Sequence, residues 1–173
     1  MAKINATEEV LDLVDKNDRA IGSVPISKAN SDPKSIHREV AVIIYDDKNR
    51  VLIQQRSFAK RLDPGVWTVT CAGHVTKGLT PLEAAHTELK EEVGFDTKLN
   101  FVEKEFNKIP TETRFFYWYV GKLPKKARIK IEPREVEKVM FLGQIKLQEF
   151  LKSEEKIGKH SLKYLNKFWS NKL

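Results

Sequence analysis

The chain predicts an α/β domain in which a sheet packs between helices, and two observations carry that prediction. Short runs of β-branched and aromatic residues recur along the 173 residues, and a few helical segments are interspersed among them. Strands mixed with helices in this way pack as a sheet covered by helices. The length suits one domain with a sizeable core. No linker, internal repeat or low-complexity tract divides it, so residues 1–173 read as a single domain.

Each element has its own signal. Segments 10–14 and 20–24 flank the polar turn KNDR and read as a hairpin. The polar stretch 26–35, with Pro33, reads as a loop. Residues 39–45 form a β-branched strand, and 51–56 a second one after the turn DDKN. A basic loop over 57–65 ends in Pro-Gly, and 67–71 (WTVTC) is a short strand running into a glycine turn at Gly73. The helix over 81–93 is bounded by local chemistry. Thr80 suits the N-cap, Pro81 the first helical position, Glu83 a capping box and Gly94 a left-handed stop. Residues 99–109 and 114–120 read as strands, 122–132 as a basic connection, 136–142 as a strand, and 144–153 and 161–170 as helices. The aromatics from Phe115 to Tyr119 alternate across their strand, so packing on both faces accounts for them.

Composition narrows the function classes. With 40% hydrophobic and 32% charged residues the chain is of the soluble globular type. No apolar run is long enough to span a membrane, and the N-terminus lacks the apolar core of a secretory signal. The lone cysteine, Cys71, has no partner for an internal disulfide, fits a reducing cytoplasm, and reads as buried and inert. The net charge of +7 lies C-terminally: residues 122–173 hold 14 of the 31 Lys and Arg against 6 of the 24 Asp and Glu. Such a surface attracts anions. No nucleic-acid-binding motif accompanies it, so a solvated lysine-rich surface is preferred over a nucleic-acid site.

Residues 73–95, GHVTKGLTPLEAAHTELKEEVGF, are the most informative. Glu88, Glu91 and Glu92, at i, i+3 and i+4, share one side of the helix. Like charges at that spacing cost about 0.2–0.5 kcal/mol per pair. Ala84, Ala85, Leu89 and Val93 supply a buried side. A hard divalent cation makes such a cluster favourable; a solvated acidic face is the plain alternative.

This segment resembles the Nudix box, the loop–helix–loop signature of hydrolases acting on nucleoside diphosphates linked to another group. Gly73, Glu88, Leu89, Glu91, Glu92 and Gly94 fall in register, with Phe95 at the final apolar place. Leu79 stands where the family has its first Glu, and Thr87 where it has Arg. The resemblance implies the Nudix fold, an α/β/α sandwich around a mixed sheet. It implies Mg²⁺ or Mn²⁺ held by Glu88, Glu91, Glu92 and the Gly73 carbonyl, a small-molecule diphosphate as substrate, and one of the glutamates as base. Oxygen ligands alone suit these cations better than zinc.

The stretches VDKNDRAIG, HREVAVIIYDDKNRVLIQQRS and PGVWTVTCAGHV, with the acidic strand EVEKVMFL and a last helix ending FW, are similar to the branch containing type-1 isopentenyl-diphosphate isomerases and related hydrolases. That likeness implies Arg56 and Lys60, with Arg61 behind them, as diphosphate contacts, and His74 as a metal or substrate contact. The isomerases carry a catalytic Cys immediately before the Gly-His. Here Ala72 holds that place and Cys71 comes one residue early, which on a strand points it to the opposite face. Their later Glu-x-Glu reads Glu112 and Arg114 here. Of their metal-binding histidines, His37 and His74 align, while Asn30 replaces another.

These departures leave three readings. The family Arg orients a catalytic Glu, and Thr87 is too short to do so; Leu79 suggests an apolar contact. The chain is then a working hydrolase with local compensation, a Nudix-fold module that binds a ligand with little turnover, or, as the minor reading, an isomerase. Among the remaining candidates, His37 reads as a partly buried polar cap and His86 and His160 as surface residues. Trp67 reads as packing, and Glu112 as exposed.

Overall fold

A computed structural model of the protein describes residues 8–153 and 155–170. The hairpin forms as expected from β1 (Val10–Val14) and β2 (Ala20–Pro25), with Asp18 in the left-handed region at its turn. The stretch expected to be a loop instead begins with one helical turn, α1 (Ile26–Ala29), whose Ala29 packs with Leu11 and Val24 in a small core. That burial, not local propensity, makes the turn.

The main sheet is built on β3 (His37–Tyr45), which runs antiparallel to β4 (Val51–Arg56). The strand expected over 67–71 is two strands: β5 (Trp67–Thr68) pairs with β4, and β6 (Cys71–His74) pairs with β3. Thr70 makes the crossing. Its hydroxyl donates to the Leu52 carbonyl at 2.6 Å and accepts from the Ile44 amide at 2.8 Å, bridging β4 and β3. Gly73 therefore lies within a strand and not in the turn expected for it.

Helix α2 (Pro81–Val93) has the predicted bounds. Thr80 and Glu83 form a reciprocal capping box, and Gly94 closes the helix at φ +81°. A Cβ at Gly94 would lie 2.8 Å from the Lys130 carbonyl, so any other residue is both strained and crowded there. β7 (Leu99–Lys108) and β8 (Thr113–Lys122) follow, then β9 (Val136–Leu142), α3 (Gln144–Lys152) and α4 (Lys159–Trp169). β8 runs parallel to β3, whereas β7 pairs antiparallel with β8 and β9 antiparallel with β4, so the sheet is mixed.

Alternation along β3 explains the layers. Val40, Val42 and Ile44 face α2, with Ala84, Ala85, Leu89 and Val93. Ala41 and Ile43 face the other way, toward Leu147 of α3 and Tyr164 and Leu165 of α4. A strand covered on both faces has to be apolar throughout. On β8, Trp118 is 1% exposed and stacks on Tyr164 with ring centroids 3.6 Å apart.

The hairpin is fastened to this body. Arg38 donates to the Asp18 carboxylate and carbonyl, each at 2.6 Å, and the Tyr117 phenol donates to the same carboxylate. Thr76 donates to Glu9 at 2.6 Å, and the Lys77 amide to the Val10 carbonyl at 2.9 Å, which ties the hairpin to the segment preceding α2.

Trp118→Ala should lower unfolding free energy by about 3–5 kcal/mol in a denaturant titration. The indole N–H of Trp118 is buried with no hydrogen-bond partner among the described residues, so Trp118→Phe should cost clearly less than the alanine change.

Candidate functional site

The exposed ends of β4, β6 and β8, the 57–65 loop, α2 and the segment before β9 enclose a cleft of about 1270 Å³. Every residue singled out for metal or phosphate contact lines it: Gly73, His74, Glu88, Glu91, Glu92, Arg56, Lys60 and Arg61. The structure thus brings the predicted set together.

The three glutamates are not equivalent. Glu92 is 5% exposed and accepts from Gln54 Nε2 at 2.7 Å. Glu88 lies over β6, so close that a Cβ at Gly73 would meet its Oε1 at 2.1 Å. Glu91 remains exposed at the margin. Burial first, then the charges of Glu92 and Glu91, push the Glu88 carboxyl up to about 8. Burial raises Glu92 to about 7, with the Gln54 hydrogen bond acting in the opposite direction. A buried and a half-buried carboxyl one helical turn apart make an acidic pole.

Basic groups face this pole. Arg56 donates to the Leu62 carbonyl at 3.1 and 3.3 Å, which fixes its guanidinium on the 57–65 loop. Lys60 is paired with Glu135, from the segment before β9. Their side chains are 30% and 37% exposed, and an ion pair open to water to that extent contributes only about 0–1 kcal/mol. Glu132 and Glu135 also line the cleft; the sequence offers a signal only for Glu135, the acidic start of EVEKVMFL.

At the other end of the cleft, His37, Glu39 and His74 present donor atoms within 4.8 Å of one another. His74 Nε2 lies 3.0 Å from Asn30 Oδ1 and 3.3 Å from Glu39 Oε1. Arg114 Nη1 sits 3.2 Å from the same Glu39 oxygen and also pairs with Glu112. Burial alone would raise Glu39, but His37, Arg114 and His74 hold it down to about 2. A fixed guanidinium therefore already supplies positive charge here. Burial is also the main force lowering His74.

Several expectations require correction. Glu112 is not exposed; its side chain is 12% accessible because Arg114 draws it inward. His37 is fully buried rather than a partial cap. His160 lines the cleft, stacked on Phe116 and hydrogen-bonded to Asn107 at 3.1 Å, instead of lying on the free surface. His86 is surface-placed and pairs with Asp96 at 2.5 Å. Trp67 is packed, with its indole N–H on Glu155 at 2.6 Å.

The departures from the box have clear positions. Leu79 packs against the core beneath α2. Thr87 is exposed, and its hydroxyl donates to the Glu83 carbonyl at 3.0 Å, away from the glutamate pole. On β6, Cys71 pairs with Val42 and is 0% exposed in the core, while Ala72 pairs with Ala41 and lines the cleft. Burial, followed by the charges of Glu92 and Glu88, drives the Cys71 thiol far up, which keeps it protonated and inert.

A family model described as the NUDIX domain matches residues 35–165. The chain belongs to the Nudix family. It is 32% identical over 163 residues to the isopentenyl-diphosphate Delta-isomerase of Streptomyces coelicolor, covering 84% of this chain and 77% of that one. It is 30% identical over 148 residues to the uncharacterized Nudix hydrolase lin0387 of Listeria innocua, covering 85% and 87%. The crystal structure of DR0079 from Deinococcus radiodurans superposes with a TM-score of 0.77 at 20% identity, covering 93% of this chain and 99% of that one. At that identity the likeness is one of fold. No helix among the described residues is long and apolar enough to cross a membrane.

The raised carboxyls predict a pH dependence. Folded Glu88 and Glu92 keep protons that an unfolded chain releases near the ordinary value of 4.5. Their stabilisation is therefore complete below that pH and is lost as pH rises through about 7–8. His74, lowered from 6.5, titrates below this window. Tm in a thermal-denaturation scan should therefore fall between about pH 6.5 and about pH 8.5.

Proposed function

We propose that this Nudix chain is a metal-dependent hydrolase of a diphosphate linkage, in a nucleoside diphosphate linked to another group or a similar small molecule, working in the cytoplasm. The observation that carries the reading is that one cleft is lined both by the Glu88–Glu92 pole, Glu92 buried and Glu88 half-buried, and by the Arg56, Lys60 and Arg61 side chains. A divalent cation fits the donors present. The carboxyls are held high by burial and mutual repulsion, and the absent Cβ of Gly73 leaves room for Glu88 beside the strand. Glu88, Glu92 and the more exposed Glu91, with the Gly73 carbonyl, would hold Mg²⁺ or Mn²⁺. That ion supplies charge neutralisation on the phosphates and makes an attacking water more acidic.

The chain's own residues perform the rest. Arg56, Lys60 and Arg61 bind the phosphate oxygens; Arg offers a planar fork and Lys a point charge. The oxygen of a water forms a bond to one phosphorus, and the bridging P–O bond breaks with its electrons leaving on the departing phosphate. A carboxylate of the pole accepts the proton of that water. Gln54 supports orientation: its 2.7 Å hydrogen bond holds Glu92 from the sheet side, a role Thr87 cannot fill from the exposed side of α2. This favours a working hydrolase with local compensation over a silent binding module.

Isomerisation needs a donor and an acceptor across a double bond. The position facing the cleft is Ala72, and Arg114 occupies the place of an acid. Hydrolysis is therefore preferred despite the likeness to isomerases.

Glu92→Gln should abolish Mg²⁺-dependent turnover of a panel of nucleoside-linked and isoprenoid diphosphates while the circular dichroism spectrum is kept. Turnover at the wild-type rate in that variant would refute the assignment. Gln54→Ala should lower kcat on the order of 100-fold, the scale of an ångström misplacement. Isopentenyl diphosphate should be left unisomerised by the wild type.

A further inference from the structure

We infer that Glu135 is a further carboxylate of the cation pole, parked on Lys60 until a divalent cation draws it away, so that cation binding releases Lys60 for the substrate's phosphate. The inference rests on the proposed metal-dependent hydrolysis and adds to it an order of events.

The placement of Glu135 is fixed by its backbone. Its carbonyl accepts from the Ser57 amide at 2.9 Å, and the Lys60 amide donates to the Ser57 carbonyl at 3.1 Å, so Glu135 and Lys60 hang from the same point. On its other side the segment follows the C-terminal end of α2. The Lys130 amide donates to the Val93 carbonyl at 2.9 Å, the Glu132 amide to the Glu92 carbonyl at 3.2 Å, and the Glu135 amide to the Glu132 carbonyl at 2.9 Å. Glu135 thus lines the cleft together with Glu88, Glu91 and Glu92, and its charge is among those raising the Glu88 and Glu92 carboxyls.

Electrostatics then sets two states. Without a cation, Glu135 is attracted by the Lys60 ammonium, and the pair forms. A divalent cation at the pole supplies a competing positive charge on the other side of Glu135. The pair is partly open to water, so it holds Glu135 only weakly against that pull. The ammonium released has three donors and no acceptor, which suits a diphosphate oxygen. In the other direction, Lys60 stays covered while the pole is empty, and an anion meets a weaker site.

The test uses Mn²⁺ alone, so it needs no substrate and no turnover. Lys60 acetylation by a limiting acylating reagent, followed by peptide mass spectrometry, should speed up when Mn²⁺ is added to the wild type. In Glu135→Gln, Lys60 should react fast with or without Mn²⁺, and calorimetry should show Mn²⁺ affinity weakened about tenfold or more. Lys60→Met should tighten Mn²⁺ binding more than Arg56→Met, which removes a neighbouring charge without freeing Glu135. Unchanged Mn²⁺ affinity in a folded Glu135→Gln, or Lys60 reactivity indifferent to Mn²⁺ in the wild type, overturns the latch and leaves the hydrolase reading standing. Absence of Mn²⁺ binding to the wild type overturns both.

Discussion

Glu88 rests against the backbone of Gly73, and the arrangement of the cleft depends on that contact. Ala84 and Ala85, small residues on the buried side of α2, let the helix approach β6. The missing side chain at Gly73 lets a carboxylate occupy the gap instead of being turned out to water. Once α2 is that close, Glu92 is buried as well and needs Gln54 to satisfy one oxygen. The cost of burying two acids one turn apart is borne by the rest of the fold: a capped helix, a strand apolar on both faces, and an aromatic stack beneath β8. The same contact therefore concentrates acid at one end of the cleft at a cost in stability.

What the sequence disclosed, and what it hid, follows the range of the interactions. The bounds of α2 were legible because Thr80, Pro81, Glu83 and Gly94 act within a few residues of themselves. β4 and β9 were legible because their β-branched runs end at turns. The break between β5 and β6 was hidden because it depends on one hydroxyl, Thr70, bridging two other strands. Glu112 was misjudged because its partner Arg114 makes it an inner residue, and His160 because Phe116, far away in sequence, provides its stacking surface. The glutamates, the basic loop and the glycine of the cleft were found through the box and the branch likeness. Gln54, Glu132 and Glu135 were not, since their roles come only from the packing of separate segments around α2.

The chain keeps the fold of the isomerases it resembles while two positions of its cleft depart from their pattern. The likeness extends over 84% of the chain, and both positions, Ala72 and Arg114, line the cleft. Strand parity makes the first decisive: Cys71 and Ala72 are adjacent, yet one belongs to the core and the other to the cleft. At the second, Arg114 converts a would-be acidic cluster into a network satisfied from within, with Glu39 shared among cationic and imidazole neighbours. A shared fold does not fix chemistry; the side chains of the site do.

The hairpin lies outside the segment that matches the family model, which begins at residue 35. Even so, Glu9 and Val10 hold Thr76 and Lys77, and Asp12 accepts from the Gly78 amide at 3.3 Å. The three-residue core of the hairpin is too small to persist alone, so the brace and the segment it braces are ordered together. A minimal version of this protein trimmed to the recognised family boundary would keep each glutamate of the pole but lose the strut that sets the entrance to α2. The braced unit of this chain is longer than the segment its family model matches.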